Sequence, residues 1–171
     1  ILTLPSFASA EVKKEYYPSG KLESEVNLVD GKREGIYKSY GKKGKLIWEV
    51  NYINGKREGI AKGYWSSGKL AVEMSYKNGE AEKLEKWYYP SGELWHETNF
   101  KNGKKNGVRR EYYKSGELKF RDIYKNDQKV HRTAYDEVGK RLFSEDYPYD
   151  LAEADASTPQ PPAKETKQIH S

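Results

Sequence analysis

The 171-residue sequence contains no cysteine, a single methionine and only 4 phenylalanines and 4 tryptophans. Without cysteine the chain can form neither a disulfide nor a thiolate metal site, and its redox compartment stays open. It also has no run of about 20 apolar residues, which a membrane-spanning helix requires. Hydrophobic residues make up 35%, too few for a large aliphatic core, yet 15 tyrosines argue against simple disorder.

The charges are of both signs and are interspersed along the chain. Lysine and arginine number 31 against 26 aspartates and glutamates, a net charge of +5. A nucleic-acid-binding protein usually carries a dense basic stripe. The nearest approach to one is Lys104, Lys105, Arg109 and Arg110, which we interpret as a solvated face. Nucleic acid is therefore not an expected partner.

A period of 24 residues runs through the sequence. One set of glycines follows it, at Gly20, Gly44, Gly68, Gly92 and Gly116. A second set of turn-forming pairs has the same period, at Asp30-Gly31, Asn54-Gly55, Asn78-Gly79, Asn102-Gly103 and Asn126-Asp127. A sixth unit begins near Gly139 after a one-residue deletion and ends near Pro148. Repeats of this length predict an array in which each unit packs on its neighbours, with these glycines in structural roles.

Each unit contains two turn signals, and the segments between them alternate in polarity. Such segments, rich in Tyr, Val, Ile and Trp, are typical of strands joined by hairpins. The predicted fold is all-β: an elongated single antiparallel meander sheet of tandem β-hairpin repeats over residues 11–149, with about twelve strands. No segment has a helical period, and we predict no cofactor and no metal site.

The even period also predicts which side chains share a face. Side chains alternate along a strand, so even-numbered residues should line one buried face in every unit. That face would hold Val26, Val50 and the column of Val12, Ile36 and Ile60. It would also hold eight tyrosines, namely Tyr16, Tyr40, Tyr52, Tyr64, Tyr76, Tyr88, Tyr112 and Tyr124. This arrangement requires loops of odd length, so we predict three-residue loops with a left-handed glycine at both kinds of turn. Two-residue loops at Asn54-Gly55 and its equivalents would contradict this prediction.

The two ends differ from the repeats. Residues 1–10, ILTLPSFASA, have an apolar stretch that ends in Ala-Ser-Ala before the charged Glu11. This segment predicts either a signal-peptide remnant, cleaved after Ala10, or a disordered leader. The first interpretation places the protein in the periplasm or outside the cell, while a cytoplasmic location stays open. Residues 150–171 form a Pro- and Ala-rich segment that predicts a disordered tail or linker.

The sequence offers no constellation of catalytic residues, so we predict that the protein is not an enzyme. The histidines His96, His131 and His170 are far apart, and neither a cysteine nucleophile nor a G-x-S-x-G motif is present. His96 is expected to pack in the sheet. The recurring Glu25, Glu49, Glu73 and Glu97 are expected to form a solvated ladder paired with nearby lysines.

Aromatic residues at odd positions are the strongest candidates for function. We predict a contact patch on the wet face formed by Trp65, Trp87, Tyr89, Trp95 and Tyr113. Such a patch would suit a protein partner or stacking on a glycan. Alternatively, the C-terminal tail or a second protomer in a homodimer covers these rings, or they cap the edge of the sheet.

Several motifs resemble the bacterial variant of the MORN repeat. They are YYPSGKLESEV at 16–26, NGKREGIAKGYW at 54–65, YYPSGEL at 88–94 and NGKKNGVRREYYKSGEL at 102–118. The resemblance covers about residues 11–147 and implies a meander of hairpins with a binding or scaffolding role. The pattern is broken at Lys83 and His131, which replace a glycine, and at Arg121, which replaces the recurring glutamate. Units three and five should therefore be less regular.

Three functions follow as hypotheses. The first is a non-enzymatic, exported repeat protein whose sheet binds or scaffolds a protein partner. The second is an antitoxin-like partner that neutralises a toxin or effector, a role that the resemblance implies because some bacterial relatives are antitoxin components. The third is binding of peptidoglycan or another cell-wall polysaccharide through exposed Trp and Tyr.

Overall fold

The computed structural model describes residues 9–149. These residues form one open antiparallel sheet in which neighbouring strands follow each other in chain order. The strands are β1 Ala10–Tyr16, β2 Leu22–Val29, β3 Lys32–Tyr40, β4 Leu46–Ile53, β5 Lys56–Arg57, β6 Gly59–Tyr64, β7 Leu70–Lys77, β8 Glu80–Tyr88, β9 Leu94–Lys101, β10 Lys104–Tyr112, β11 Leu118–Lys125, β12 Gln128–Tyr135 and β13 Arg141–Asp146.

The predicted fold class is confirmed. Because β5 and β6 are two pieces of one hairpin arm, both paired with β4, the sheet has twelve successive positions, as the repeat predicts. Within residues 9–149, no helix has the length and hydrophobicity needed to cross a membrane. The predicted leader, apart from its last two residues, and the predicted tail lie outside the described residues.

The two kinds of turn differ in length. At Pro18-Ser19-Gly20, the Gly20 amide donates to the Tyr17 carbonyl at 2.8 Å and the Tyr17 amide donates to the Lys21 carbonyl at 2.9 Å. This is a three-residue loop, and Gly20 has the predicted left-handed φ of 79°. At the other turn, Ile53 pairs directly with Lys56. The prediction of a three-residue loop at Asn54-Gly55 is therefore wrong.

The short turn has a simple physical reason. Asn54 and Gly55 have φ values of 50° and 78°, the two positive angles of a type I′ turn. The twist of this turn matches that of the flanking strands, and asparagine tolerates the left-handed region better than most residues. The same conformation occurs at Asn102, with φ 50°, and at Gly103, with φ 76°.

An extra residue after each three-residue turn also changes the predicted faces. Tyr64 pairs with Leu70 and Gly63 with Val72, so Ala71 between them has no partner across the sheet. The equivalent extra residues are Glu23, Ile47, Trp95 and Lys119. With this bulge and the two-residue turn, odd residues beyond each bulge lie opposite even residues of the next strand from β1 to β11.

The single even-numbered face is consequently wrong. One surface, the packed face, takes even residues from β2, β4, β7, β9 and β11 and odd residues from β3, β6, β8 and β10. It carries the core, in which Val50, Ala61 and Tyr76 are buried. The opposite surface, the open face, carries Val12, Ile36 and Ile60, which are 60%, 55% and 57% exposed.

The predicted tyrosine ladder divides between the two faces. Tyr52 and Tyr76 lie on the packed face, where the Arg33 and Arg57 guanidinium groups stand 5.2 and 4.2 Å from the respective ring centroids. The column that begins at Tyr40 lies instead with the glutamates of the open face. The hydroxyls of Tyr40, Tyr64, Tyr88 and Tyr112 donate to Glu25, Glu49, Glu73 and Glu97 at 2.7, 2.6, 3.1 and 3.3 Å.

These tyrosine–glutamate bonds join neighbouring strands all along the repeats. Burial, followed by the hydrogen bond to the carboxylate, raises the pKa of Tyr40, Tyr64 and Tyr88 to about 12. The predicted pairing of this glutamate column with lysines is confirmed at Glu25, which lies 3.8 Å from Lys14, whereas Glu97 pairs with an arginine, Arg110, at 3.0 Å. Tyrosine is the partner that all four glutamates share.

The two predicted irregular units behave differently. Gly35 and Gly107 have φ values of 75° and 99°, each inside a bulge that sets three residues against one. Lys83 keeps that bulge and adopts φ 64°, so the prediction for unit three is wrong. In β12 only Val130 and His131 stand opposite Ile123, which places the one-residue deletion here and confirms the irregularity of unit five.

Candidate functional site

Three of the five predicted site residues belong to a row beside the three-residue turns. Trp65 Nε1 donates to the Tyr88 carbonyl at 3.2 Å, and the Tyr89 hydroxyl donates to the Tyr112 carbonyl at 2.9 Å. The Tyr113 hydroxyl donates in the same way to the Tyr135 carbonyl, at 3.0 Å. Each bond ties a turn to the next unit, so this row has a structural role whatever else it contacts.

The other two predicted residues meet around His96. Trp87, near the end of β8, lies opposite His96 of β9, and their rings stack with centroids 6.0 Å apart. Trp95 is the extra residue of the β9 bulge, and its ring meets His96 edge-on at 5.0 Å and Tyr89 at 5.8 Å. We call Trp87, Tyr89, Trp95 and His96 the aromatic cluster.

The aromatic cluster makes His96 a neutral side chain. Burial, with a smaller contribution from the Arg109 charge, lowers the pKa of His96 to about 4. Its Nδ1 atom is buried and has no hydrogen-bond partner among the described residues. The predicted packing role of His96 is confirmed by its contacts with Trp87 and Trp95. The cluster therefore offers rings without charge.

A charged network follows the aromatic cluster on the packed face. Arg132 binds Asp122 through Nε and Nη2, at 2.7 and 2.8 Å, and the Asp122 side chain is fully buried. Arg109 lies 3.6 Å from Asp122 and 2.7 Å from Glu111. Asp122 raises the pKa of the Arg132 guanidinium, chiefly through its hydrogen bonds. These charges compensate one another.

This charged network was not predicted from the sequence, although one signal was present. Asp122 occupies the column of Val26, Val50 and Met74, where the other unit has Thr98. A charged residue in an otherwise apolar or neutral column signals a buried ion pair, because an isolated charge there would be too costly. The periodic alignment alone could have shown this.

The structure brings together three of the predicted site residues, Trp87, Tyr89 and Trp95. Trp65 and Tyr113 occupy the same turn row one unit to either side. The predicted location on the wet face is wrong for Trp87, which lies on the packed face opposite Val72. Among residues 9–149, no group of three or more His, Asp or Glu side chains is placed to hold a metal ion.

This architecture defines the class: a tandem β-hairpin repeat protein with one open sheet. More specifically, the chain belongs to the MORN repeat variant family, whose sequence profile matches residues 12–30, 33–54, 57–78, 81–102 and 105–126. These matches together cover more than half of the sequence and include the hairpins that carry the aromatic cluster.

Other comparisons add little. No curated protein matches the sequence. Among solved structures, a mutant of S. aureus TarM in complex with fondaparinux, α-GlcNAc-glycerol and UDP is similar at 8% identity, with a TM-score of 0.39. The similarity covers 56% of this chain and 19% of that one. A second structure of TarM gives 9% identity with the same TM-score and coverage. A likeness this slight carries no argument about function.

Proposed function

We propose that this repeat protein binds a protein partner through the aromatic cluster, which itself takes no part in catalysis. The observation that carries the proposal is that Trp87 and Trp95 are partly exposed and meet at one place, around an uncharged histidine. Aromatic side chains that remain accessible on a rigid sheet are the usual anchors of protein interfaces.

The repeat itself does not require these two tryptophans. The positions equivalent to Trp87 hold Ser39, Gly63 and Glu111, and those equivalent to Trp95 hold Glu23, Ile47, Ala71 and Lys119. Units with these smaller or charged residues form the same sheet. By contrast, the turn row of Tyr89 recurs and makes bonds between units. Folding thus explains Tyr89 but leaves Trp87 and Trp95 without a repeat-wide role.

The position of the aromatic cluster supports a partner with an apolar or aromatic contact surface. His96 is uncharged near neutral pH, and two of the charges that act on it, those of Arg109 and Glu111, bind each other at 2.7 Å. A charged partner group would therefore find these two charges already paired. Stacking on Trp87 and Trp95 would also suit the apolar face of a sugar ring, so a glycan is the second candidate ligand.

The test compares Trp87→Ala and Trp95→Ala with a matched control on the opposite surface. Ile60→Ala removes a 57% exposed apolar side chain from the open face. Partners captured by the full chain from an extract of the source organism would be identified and their affinities measured. Loss of a tryptophan anchor is expected to weaken binding by about 30-fold, roughly 2 kcal/mol, while Ile60→Ala leaves it unchanged.

Two outcomes would change the proposal. Equal affinity for the full chain and both tryptophan variants would refute a role for the aromatic cluster. Retention on purified peptidoglycan, lost in the same variants, would replace the protein partner by a glycan. Circular dichroism of each variant checks that the sheet is intact.

Export is part of the same proposal and rests on the ILTLPSFASA segment at residues 1–10. A signal peptide would be removed after Ala10, immediately before the charged Glu11. Mapping the N-terminus of the protein from its source cells tests this directly. A mature chain that retains residues 1–10, recovered from the cytoplasm, would contradict export.

A further inference from the structure

The last hairpin brings together a serine, a histidine and an aspartate on the open face. His131 of β12 lies opposite Asp146 of β13, with Nδ1 2.7 Å from the carboxylate. Its other ring nitrogen, Nε2, lies 3.1 Å from the Ser144 hydroxyl. The serine hydroxyl is thus within hydrogen-bond reach of the histidine, and the histidine is within reach of the carboxylate. This is the arrangement of nucleophile, base and orienting group by which nucleophilic catalytic sites are recognised.

The hydrogen bonds fix the direction of proton transfer. A carboxylate can only accept, so Nδ1 carries the hydrogen that it donates to Asp146. The lone pair of Nε2 is then free to accept a hydroxyl hydrogen. Thr133 is also 3.1 Å from Nε2, but its side chain is buried, whereas Ser144 is exposed to solvent. Ser144 is therefore the hydroxyl that an external molecule can reach.

These residues are departures from the repeat. In the regular hairpins, the pairing places aliphatic residues such as Val108 where His131 stands. The glutamate column, exemplified by Glu97, continues at Ser144, and the column of Asn99 continues at Asp146. Because the β12 bulge lacks one residue, His131 takes the position that Val108 has in β10. Nothing in the packing of the repeats requires these three side chains together.

We infer that Ser144, His131 and Asp146 form a nucleophilic site that hydrolyses small carboxylic esters. The hairpin is open, so the site has no walls that would select a large acyl group. Arg121 lies in the same cross-strand row, opposite Thr133, which in turn lies opposite Ser144. A positive charge in this row would favour the negative charge that develops on the ester oxygen.

The chemistry balances without a cofactor. Ser144 Oγ attacks the ester carbonyl and forms the new C–O bond while His131 Nε2 takes the hydroxyl proton. The tetrahedral species then expels the alcohol, which receives that proton from His131. A water molecule attacks the resulting acyl-serine in the same manner. The acid leaves, and both Ser144 and His131 return to their starting states.

The test uses the full chain, 4-nitrophenyl acetate as substrate and a fluorophosphonate as covalent probe. We expect ester hydrolysis and phosphonylation of Ser144, located by peptide mass spectrometry. Ser144→Ala should reduce hydrolysis to the background that the imidazole side chains of the protein provide. His131→Ala should slow labelling of Ser144 by about 100-fold or more, the usual contribution of a general base. Asp146→Asn should slow it to a smaller extent.

The molecule contains its own control. Ser91 is exposed in a three-residue turn, and no histidine among residues 9–149 forms a hydrogen bond with it. Labelling of Ser144 no faster than that of Ser91 would overturn the inference, as would equal hydrolysis by the full chain and Ser144→Ala. Hydrogen exchange of the β12–β13 amides checks that each variant keeps the hairpin. Because Trp87 and Trp95 take no part, these results are independent of the proposed partner binding.

Discussion

Replacing Asp122 by valine, the residue that two other units have in this column, should destabilise the C-terminal hairpins by about 3 kcal/mol. Asp122 is fully buried and binds Arg132 twice, with Arg109 3.6 Å away. Removing one partner of a buried ion pair typically costs about 3–5 kcal/mol, because the other charge is left without compensation. We take the low end because the Arg132 side chain is 24% exposed and Arg109 keeps Glu111.

The double variant Asp122→Val/Arg132→Ala distinguishes the cost of leaving Arg132 unpaired from the effect of placing valine at position 122. When both charges are removed, no buried charge is left unpaired, and apolar replacement of a buried pair is often neutral. Val50 and Ala61, which hold the equivalent positions in β4 and β6, are an apolar pair in the buried core of this sheet. We therefore expect the double variant to lie within about 1 kcal/mol of the parent, with a small residual loss because Arg132 also covers the Phe120 ring.

The assay must report on the C-terminal hairpins alone. All four tryptophans precede β10, so tryptophan fluorescence would miss local opening near Asp122. Neighbouring units of a repeat array can open separately, and amide hydrogen exchange measures that opening strand by strand. For Asp122→Val, exchange in β11 and β12 should accelerate by about 100-fold. A change below about fivefold, or a double variant as unstable as the single one, would refute the reasoning.

Three further predictions concern the repeat itself. Lys83→Gly should stabilise the protein to urea by about 1 kcal/mol, because Lys83 has φ 64° where the repeat has glycine; an unchanged midpoint would contradict this. Gly63→Ala should lower the free energy of unfolding by about 1–3 kcal/mol, since its Cβ would lie 2.5 Å from the Trp48 ring; a variant as stable as the parent would contradict the crowding. Burial and Glu49 raise the pKa of Tyr64 to about 12, so the protonated hydroxyl stabilises the folded state below pH 10, and this stabilisation is lost as the pH rises to 12. Alkaline unfolding of the parent and of Tyr64→Phe, monitored by circular dichroism, tests this.

The sequence was sufficient to predict the architecture, because the relevant signals are local. The period of Gly20 and its equivalents predicts the number of hairpins, and the three-residue turns follow from a glycine that tolerates positive φ. The assignment of side chains to the two faces depended on whether each turn, with any bulge beside it, has an odd or an even number of residues. A single extra residue such as Ala71 reverses that parity, and neither Ala71 nor its neighbours Leu70 and Val72 is a Pro or Gly that would signal the bulge.

The candidate site could be predicted only in part, for a related reason. Trp87, Tyr89 and Trp95 are recognisable as unusual residues, but their meeting around His96 depends on the β9 bulge. The link between His131 and Ser144 depends likewise on the residue missing from the β12 bulge. Irregularities of register decide which side chains meet, and they are where a periodic argument has least information.

The same irregularities suggest where function arises in such a protein. The repeated residues are used between units, as when the Tyr64 hydroxyl binds Glu49. A residue committed to such a bond has little freedom to contact a ligand without weakening the array. Only positions that the array does not use can vary, and the extra residue of each bulge is one of them. Trp95 occupies such a position where other units hold Glu23 or Ala71. A binding surface can therefore be placed on one pair of hairpins while the rest of the sheet keeps its repeated contacts.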